Sequence, residues 1–479
     1  MGGPSSLSDQ RIEQGYQLMF VTAIMLSLFF SAIGPIAIAA IALGVPVVLQ
    51  MVFGRTRYDK LVALVLANLV FWMSYAILNG AIGLEELGNP AFYAYEGRSF
   101  LTYVPFLVTM ALVVTRQTLG VLDGLMRAGA IMALLAVAMN LVGVLPEAMK
   151  HRDGLVLFMS SHHASGYFFA LLSVYFLARV ATMGRAATRW DVIFLGASLL
   201  GVLSTNSRTA LLGIAVALVI YYAGRIFVPR VMMAALAIGI ATVTIGPPLV
   251  QATNPKLANK LSAITDPRTL VAVNTAVQFV LADDDPIPYS DELENRQSNN
   301  ITVRIYLWTI AVKKFAESPL LGVGFMRWND LRFRERYTEI PGLVRILTQS
   351  SQRSIGVGNA HNTFLMMLAE TGIIGFTLIM AFWLSLARRM RRVATQAAAR
   401  ADLQIEAMAN AGRLMVFFVF GAGLTAFSFA APSIGFMPLL LCGTVIAAAR
   451  TVTLQAGTYT PGSNPDANPI SARAVSSQV

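Results

Sequence analysis

Two arginines, Arg208 and Arg304, and one histidine, His361, stand where an apolar chain does not place such groups without a reason. Arg208 lies in Ser204-Thr-Asn-Ser-Arg-Thr-Ala-Leu-Leu-Gly213, a tight polar turn between two apolar runs. A guanidinium at the end of a membrane helix needs an anionic partner or the interface, so it is either a snorkelling side chain or an anion ligand. The planar fork of arginine grips phosphate oxygens in two places, and two such forks could hold a diphosphate. His361 follows Asn359, which reads as a helix cap, so it is expected in the first turn of a helix, where the positive end of the macrodipole disfavours the imidazolium. A neutral imidazole can take a proton from a hydroxyl; the plainer alternative is a polar capping residue. Glu370, nine residues on, falls about two and a half turns into the same helix. It reads first as a structural partner for a neighbouring polar group and second as part of a functional pathway.

Around Arg304, the residues Ile301, Ile305, Trp308, Val312 and Phe315 recur at spacings of four, three, four and three. That pattern puts them on one stripe of a helix with Arg304 beside it. The helix either lies on a membrane surface or presents Arg304 to something there. Pro319 ends it, and Leu320-Leu321-Gly322-Val323-Gly324 reads as a turn whose glycines permit close backbone approach. The other histidines, His151, His162 and His163, have no second ligand at helical distance, so no metal site and no cofactor are expected. Asp283-Asp284-Asp285, flanked by Pro286 and Pro288, reads as a solvated loop.

The elements that must position these groups follow from composition. Of 479 residues, 56% are hydrophobic and only 13% charged, against about a quarter charged in a soluble domain. A soluble protein is excluded. The net charge of +11 would suit a nucleic-acid binder, but the bases sit in short loops between apolar runs and act as topology signals. Nucleic acid is therefore not an expected partner. The single cysteine, Cys442, lies inside an apolar run and supports no disulfide framework. Met1 to Gln17 lacks the short apolar core of a secretory signal, so the first apolar run is expected to stay as a helix.

Apolar runs at 18–33, 35–53, 61–82, 101–115, 128–145, 162–181, 191–205, 209–224, 231–250, 362–386, 414–431 and 434–449 predict an all-α integral membrane protein of about 12 transmembrane helices. With the N-terminus inside, Arg55, Arg57, Lys60, Arg116, Arg127, Arg179, Arg185, Arg189, Arg225, Arg230, Arg388, Arg389, Arg391, Arg392 and Arg450 fall in inner connections. The short outer ones hold only Arg98, Lys150, Arg152 and Arg208, which satisfies the positive-inside rule. The expected organisation is a cytoplasmic N-terminus at 1–17, helices 1–9 over 18–250 and a large, partly helical extracytoplasmic loop at 251–361. Helices 10–12 follow over 362–449, with a basic cytoplasmic loop at 387–413, and a disordered cytoplasmic tail at 450–479. The outer loop mixes about 13 basic with about 11 acidic residues, which suits a folded cap exposed to water. The stretch from Arg388 to Arg413, rich in Ala, Arg and Gln, is expected to be helical.

Three segments in order carry a resemblance. Ser207-Arg208-Thr209-Ala210-Leu211-Leu212-Gly213, then Arg304 and Trp308 with Ser318-Pro319-Leu320-Leu321-Gly322-Val323-Gly324, then Asn359-Ala360-His361-Asn362 with Leu365, Leu368, Glu370, Gly372 and Gly375 resemble the O-antigen ligase and polysaccharide polymerase superfamily of bacterial envelope enzymes. The likeness spans roughly 150 to 385. A weaker fourth segment, Arg152 to Gly166, lacks the proline and asparagine that the family often places after its histidine, here His163.

The resemblance implies a metal-independent glycosyltransferase of the bacterial inner membrane with its active site facing the periplasm. Such an enzyme moves a glycan from a polyprenyl-diphosphate carrier, an undecaprenyl diphosphate, onto an acceptor sugar hydroxyl. The acceptor is another glycan or lipid A core, and membrane lipids are the remaining partner. His361 would be catalytic, Arg208 and Arg304 would bind the diphosphate, and Arg152, His163, Asn362 and Glu370 are secondary candidates. Ligase and polymerase stay open, as does a member that glycosylates protein hydroxyls. From another class, a transporter of small anions would be expected to show ionisable groups or broken helices near the membrane midplane.

Overall fold

Apolar runs free of interior breakers close their own backbone hydrogen bonds as helices, the only open-chain solution in a layer without water. The computed structural model describes residues 59–83, 102–111, 114, 116–146, 149–151, 154–156, 162–226, 300–325, 360–426, 428–429 and 432–458. In chain order the helices are α1 (Lys60–Gly83), α2 (Val104–Ala111), α3 (Arg116–Val142), α4 (His162–Met183), α5 (Arg189–Ser204), α6 (Arg208–Ile226), α7 (Asn300–Glu317), α8 (Thr363–Ala399), α9 (Leu403–Gly423) and α10 (Pro432–Thr458). Among the described residues the rest of the regular structure is a 3-10 turn at Gly184–Ala186 and a two-residue antiparallel hairpin, Lys150–His151 with Gly154–Leu155.

Among the described residues five helices are long and apolar enough to cross a membrane, those of α3, α4, α8, α9 and α10, and two shorter apolar ones begin at Lys60 and Arg208. The chain is thus a helical, multi-pass membrane protein. The expected runs at 18–33, 35–53 and 231–250 lie outside the described residues, as do most of the expected outer loop and the end of the tail.

The boundaries differ from expectation where charges are neutralised. α3 begins at Arg116 rather than near 128 because Asp123 and Arg127 are accommodated inside it. Arg127 pairs with Asp123 at 3.0 Å and with Asp191 at 3.0 Å, and Arg179 pairs with Asp123 at 2.9 Å and Asp191 at 3.2 Å. Asp191 also closes a capping box with Thr188 at the start of α5. At the same end of the bundle Arg450 and Arg389 meet Asp59, and Arg116 meets Asp402 at 2.7 Å. Of the bases assigned to inner connections, Arg116, Arg127, Arg179, Arg389 and Arg450 therefore gather at one end, with Arg208 and His361 at the other. The basic stretch after Arg388 is helical, as expected: α8 continues to Ala399, and Asp402 caps α9 by accepting from Ile405 N. α9 consequently ends at Gly423 and not near 431, and α10 carries on to Thr458, past the 450 at which a disordered tail was expected.

α9 is the hub. It packs on α4, α6, α8 and α10, and nearly all of its side chains are buried. Beside it, Tyr103 donates to the Phe429 carbonyl at 2.6 Å and accepts from Trp383 Nε1 at 3.3 Å, inside a cluster with Trp72, Phe106 and Phe382.

α8 is broken at Gly372, whose φ of 60° and ψ of −168° suit only a residue without a side chain. In an unbroken helix Ile373 N–H would bond Ala369 C=O, and Ile374 N–H would bond Glu370 C=O. Instead the turn after α7 is inserted between them. Ile373 N donates to Pro319 O at 2.9 Å and Ile374 N to Leu320 O at 3.2 Å, while Val323 N and Gly324 N donate to Ala369 O and Glu370 O at 2.9 and 3.0 Å. Two helical hydrogen bonds are replaced by four, so no carbonyl at the break is abandoned. Backbone runs against backbone here: a Cβ on Gly322 would stand 2.4 Å from the Glu370 carbonyl carbon, and one on Gly372 would stand 2.3 Å from Leu320 O. The close approach expected of the glycines in the 320–324 turn is observed at Gly322, and its partner is the glutamate-x-glycine of α8.

Candidate functional site

Arg208 is placed by the tight turn between α5 and α6. α5 ends at Ser204, Thr205 closes its last turn by donating N–H to Gly201 O at 3.1 Å, and Asn206 takes the left-handed conformation at φ 53°. Asparagine tolerates that region better than other side chains. Arg208 then opens α6, half-buried, with Ser207 fully buried before it. The turn is pressed onto α4 at Gly166, where a Cβ would fall 2.5 Å from Ser207 Cβ. Ser207 Oγ finds no hydrogen-bond partner among the described residues.

Arg304 lies in the second turn of α7. The buried row of this helix is Leu307, Ala311 and Lys314 with Ile310, and Arg304 continues that row at the same spacing. The apolar stripe through Trp308, Val312 and Phe315 is only half-buried. Apolar periodicity thus selected the neighbouring face, because the face turned toward the rest of the protein carries two cations, which periodicity scores as outward. Arg304 lies within electrostatic reach of Tyr167 and Arg208, and its guanidinium is pushed below its ordinary value, mainly by burial and further by Arg208.

His361 does not sit in the first helical turn. Asn362 is the cap of α8, its Oδ1 accepting from Phe364 N at 3.0 Å and Leu365 N at 3.1 Å, and His361 precedes it in the left-handed region at φ 48°. Asn359 falls outside the described residues. A β-carbon-bearing residue held at positive φ costs energy and recurs at sites where the direction of a side chain matters. The imidazole keeps open surface yet stands within the body of the protein. Burial first, and the positive charge of Arg304 second, lower its pKa to about 4. This favours the neutral imidazole at ordinary pH, through the surrounding protein and a cation rather than the helix dipole that the sequence suggested.

The structure brings Arg208, Arg304 and His361 together. Arg304 is the link, within electrostatic reach of each of the other two. Beneath them runs a set of hydroxyls that periodicity passed over. Tyr167 shares a hydrogen bond with Thr209 and lies within electrostatic reach of Arg304. Thr425 donates to Thr209 at 3.0 Å, and Thr363 donates to the next carbonyl, Ala426 O, at 2.7 Å. Tyr167 lay hidden inside an apolar run and Thr425 inside one expected to be a span. The available signal was the pair Thr425 and Ser428 ahead of Pro432, which marks a corner.

The secondary candidates divide. His163 is exposed on the first turn of α4, with its ring against His162 at 3.9 Å between centroids. Asn362 uses its carbonyl oxygen as a helix cap. Glu370 is 1% exposed beside the break in α8, where its carbonyl accepts from Gly324, a structural role of the backbone. Arg152 lies outside the described residues.

Two cations, a phenol, and a neutral imidazole with open surface can bind a polyanion and take a proton from a hydroxyl held nearby. Residues 192–380, which include Arg208, Arg304 and His361 but neither Arg152 nor His163, match the family model described as O-antigen ligase. No curated protein matches the chain.

Proposed function

From the match of residues 192–380 to the O-antigen ligase family model, we propose that the chain is a member of that superfamily and a glycosyltransferase using a polyprenyl-diphosphate-linked glycan at the outer face of the bacterial inner membrane. The acceptor is a sugar hydroxyl, of lipid A core for a ligase or of another glycan for a polymerase. The reading is supported by the placement of His361 and Arg208 within electrostatic reach of Arg304.

Arg208 and Arg304 hold the diphosphate. Two guanidiniums kept close repel one another, and a bound polyanion relieves that repulsion while receiving charge-assisted hydrogen bonds. His361 accepts the proton of the acceptor hydroxyl as its oxygen bonds to the anomeric carbon. The bond from that carbon to the diphosphate oxygen breaks, and its electron pair leaves with the carrier diphosphate, stabilised by both arginines. Tyr167 and Thr209 hold this side of the site in place.

The break in α8 is the one feature that favours anion transport, since transporters bind ions at broken helices. Here the freed backbone groups are satisfied by residues 319–324, which argues for a structural joint. The test is glycan analysis of cells lacking the protein, complemented with wild type or with Arg208→Ala, Arg304→Ala or His361→Ala. Uncapped lipid A core with accumulated carrier-linked glycan marks a ligase, and single repeat units mark a polymerase. Normal glycans from all three membrane-inserted variants defeat the proposal.

A further inference from the structure

The insertion into α8 fixes the depth of a segment that composition assigns to water. Its partners, Ala369 to Ile374, lie six to eleven residues beyond Thr363, the first residue of α8. That is roughly 9–17 Å along the axis, comparable with half of a hydrocarbon layer of about 30 Å. Phe325, directly after the turn, is 1% exposed and stacks on Trp72 with centroids 4.7 Å apart and planes 5° from parallel. Trp72 is the thirteenth of 24 residues in α1, near the middle of that helix. Two independent contacts, one through backbone and one through rings, thus put residues 319–325 at the level of the helix interiors.

At this level the turn shows apolar side chains outward. Leu320 is 64% and Leu321 45% exposed, and Ile373 and Ile374 on α8 are each 43% exposed. A non-helical segment survives in hydrocarbon only if its backbone groups are satisfied by protein, and the four hydrogen bonds to α8 meet that condition.

We propose that Ser318–Phe325 is a re-entrant segment: the chain leaves α7, enters the hydrocarbon layer at Pro319, and turns there with Leu320, Leu321, Ile373 and Ile374 against bilayer acyl chains. The occupant is bulk lipid, because these side chains are continuous with the apolar surface of a helix long enough to span. The segment ties the helix bearing Arg304 to the helix headed by His361. The proposal rests on α8 spanning the membrane and not on glycosyl transfer, so its test reads no glycan.

Cys442 is the only cysteine and is buried, so single-cysteine variants of the full-length protein in a Cys442→Ala background give clean labelling in proteoliposomes. Leu320→Cys, Leu321→Cys and Ile374→Cys are compared with Glu317→Cys, exposed at the end of α7, and Leu135→Cys, exposed along α3. Monodisperse behaviour in detergent shows which variants fold, and three positions guard against the loss of one. The expected result is reaction with a charged maleimide at least tenfold slower than Glu317→Cys, and quenching of an attached fluorophore by lipids brominated on their acyl chains, as for Leu135→Cys. Labelling at the Glu317→Cys rate without quenching overturns the proposal. So does protection without quenching, which would mean a second protein copy covers the surface.

Discussion

If His361 is the proton acceptor, its acid limb belongs far below that of an ordinary histidine. Burial and the Arg304 charge set its pKa at about 4, against about 6.5 in the open. At pH 5 a group of pKa 4 is about 90% neutral, while one of pKa 6.5 is only about 3% neutral, so the two cases differ some thirtyfold in competent enzyme. The sign follows from the role: protonation fills the lone pair that receives the hydroxyl proton, so activity falls as pH falls. In kcat/KM, which reports free enzyme, the limb is expected near 4. In kcat it is expected higher, because a bound diphosphate offsets Arg304 and stabilises the imidazolium. Arg304→Gln removes the second cause and leaves the first, so the limb of its residual activity moves up toward 6.5 without reaching it. Carbethoxylation of His361 by diethyl pyrocarbonate, with the other three histidines replaced by Gln, follows the same ionisation without any turnover. A wild-type limb between 6 and 7 by both measurements, unmoved by Arg304→Gln, would refute the argument.

Other outcomes follow from single contacts. Arg208→Ala is expected to lower kcat by about 10²–10³, with Arg208→Lys recovering only part, because a point charge does not replace a fork; single-turnover transfer from a carrier-linked donor reads this. Gly166→Val drives a side chain into Ser207, whose Cβ lies 2.5 Å from the position of a residue-166 Cβ; transfer should fall while detergent-extracted protein stays monodisperse. Gly372→Ala places a methyl 2.3 Å from Leu320 O at a φ of 60°. Backbone strain of about 1–3 kcal/mol should appear as a lowered melting temperature by tryptophan fluorescence. Asp191→Ala removes the acceptor shared by Arg127 and Arg179 and should cost about 3–5 kcal/mol by the same melt.

Apolar length and loop charge made the helical membrane class legible, since both act through solvent and need no knowledge of packing. Arg208, Arg304 and His361 were legible for the opposite reason: each violates the local pattern, and such violations concentrate where function overrides stability. What failed to show was whatever depends on partners distant in sequence. Asp123 and Arg127 looked like loop residues until Arg179 and Asp191 neutralised them inside helices. Thr425 looked like part of a span because its bond to Thr209 crosses 216 residues. The inward face of α7 was not legible because its cations raise the polarity of the side that is buried. Gly322 announced close approach, but only the fold shows that the chain it approaches is α8 at its break, beside Gly372.

The length of α8 has a practical consequence. Beyond the break, from Ile373 to Ala399, it extends roughly 40 Å, more than a hydrocarbon layer of about 30 Å. Met390, Val393, Ala394 and Ala397 remain buried along the distal part, with Ile405 and Met408 of α9 among the buried residues of the returning helix. The bend between them is short, with Ala401 at φ 54°. The distal turns of α8 and the first turns of α9 therefore form a two-helix hairpin at the end of the bundle farthest from His361. A rigid fusion partner grafted onto it would give electron microscopy an alignment mark without touching the site.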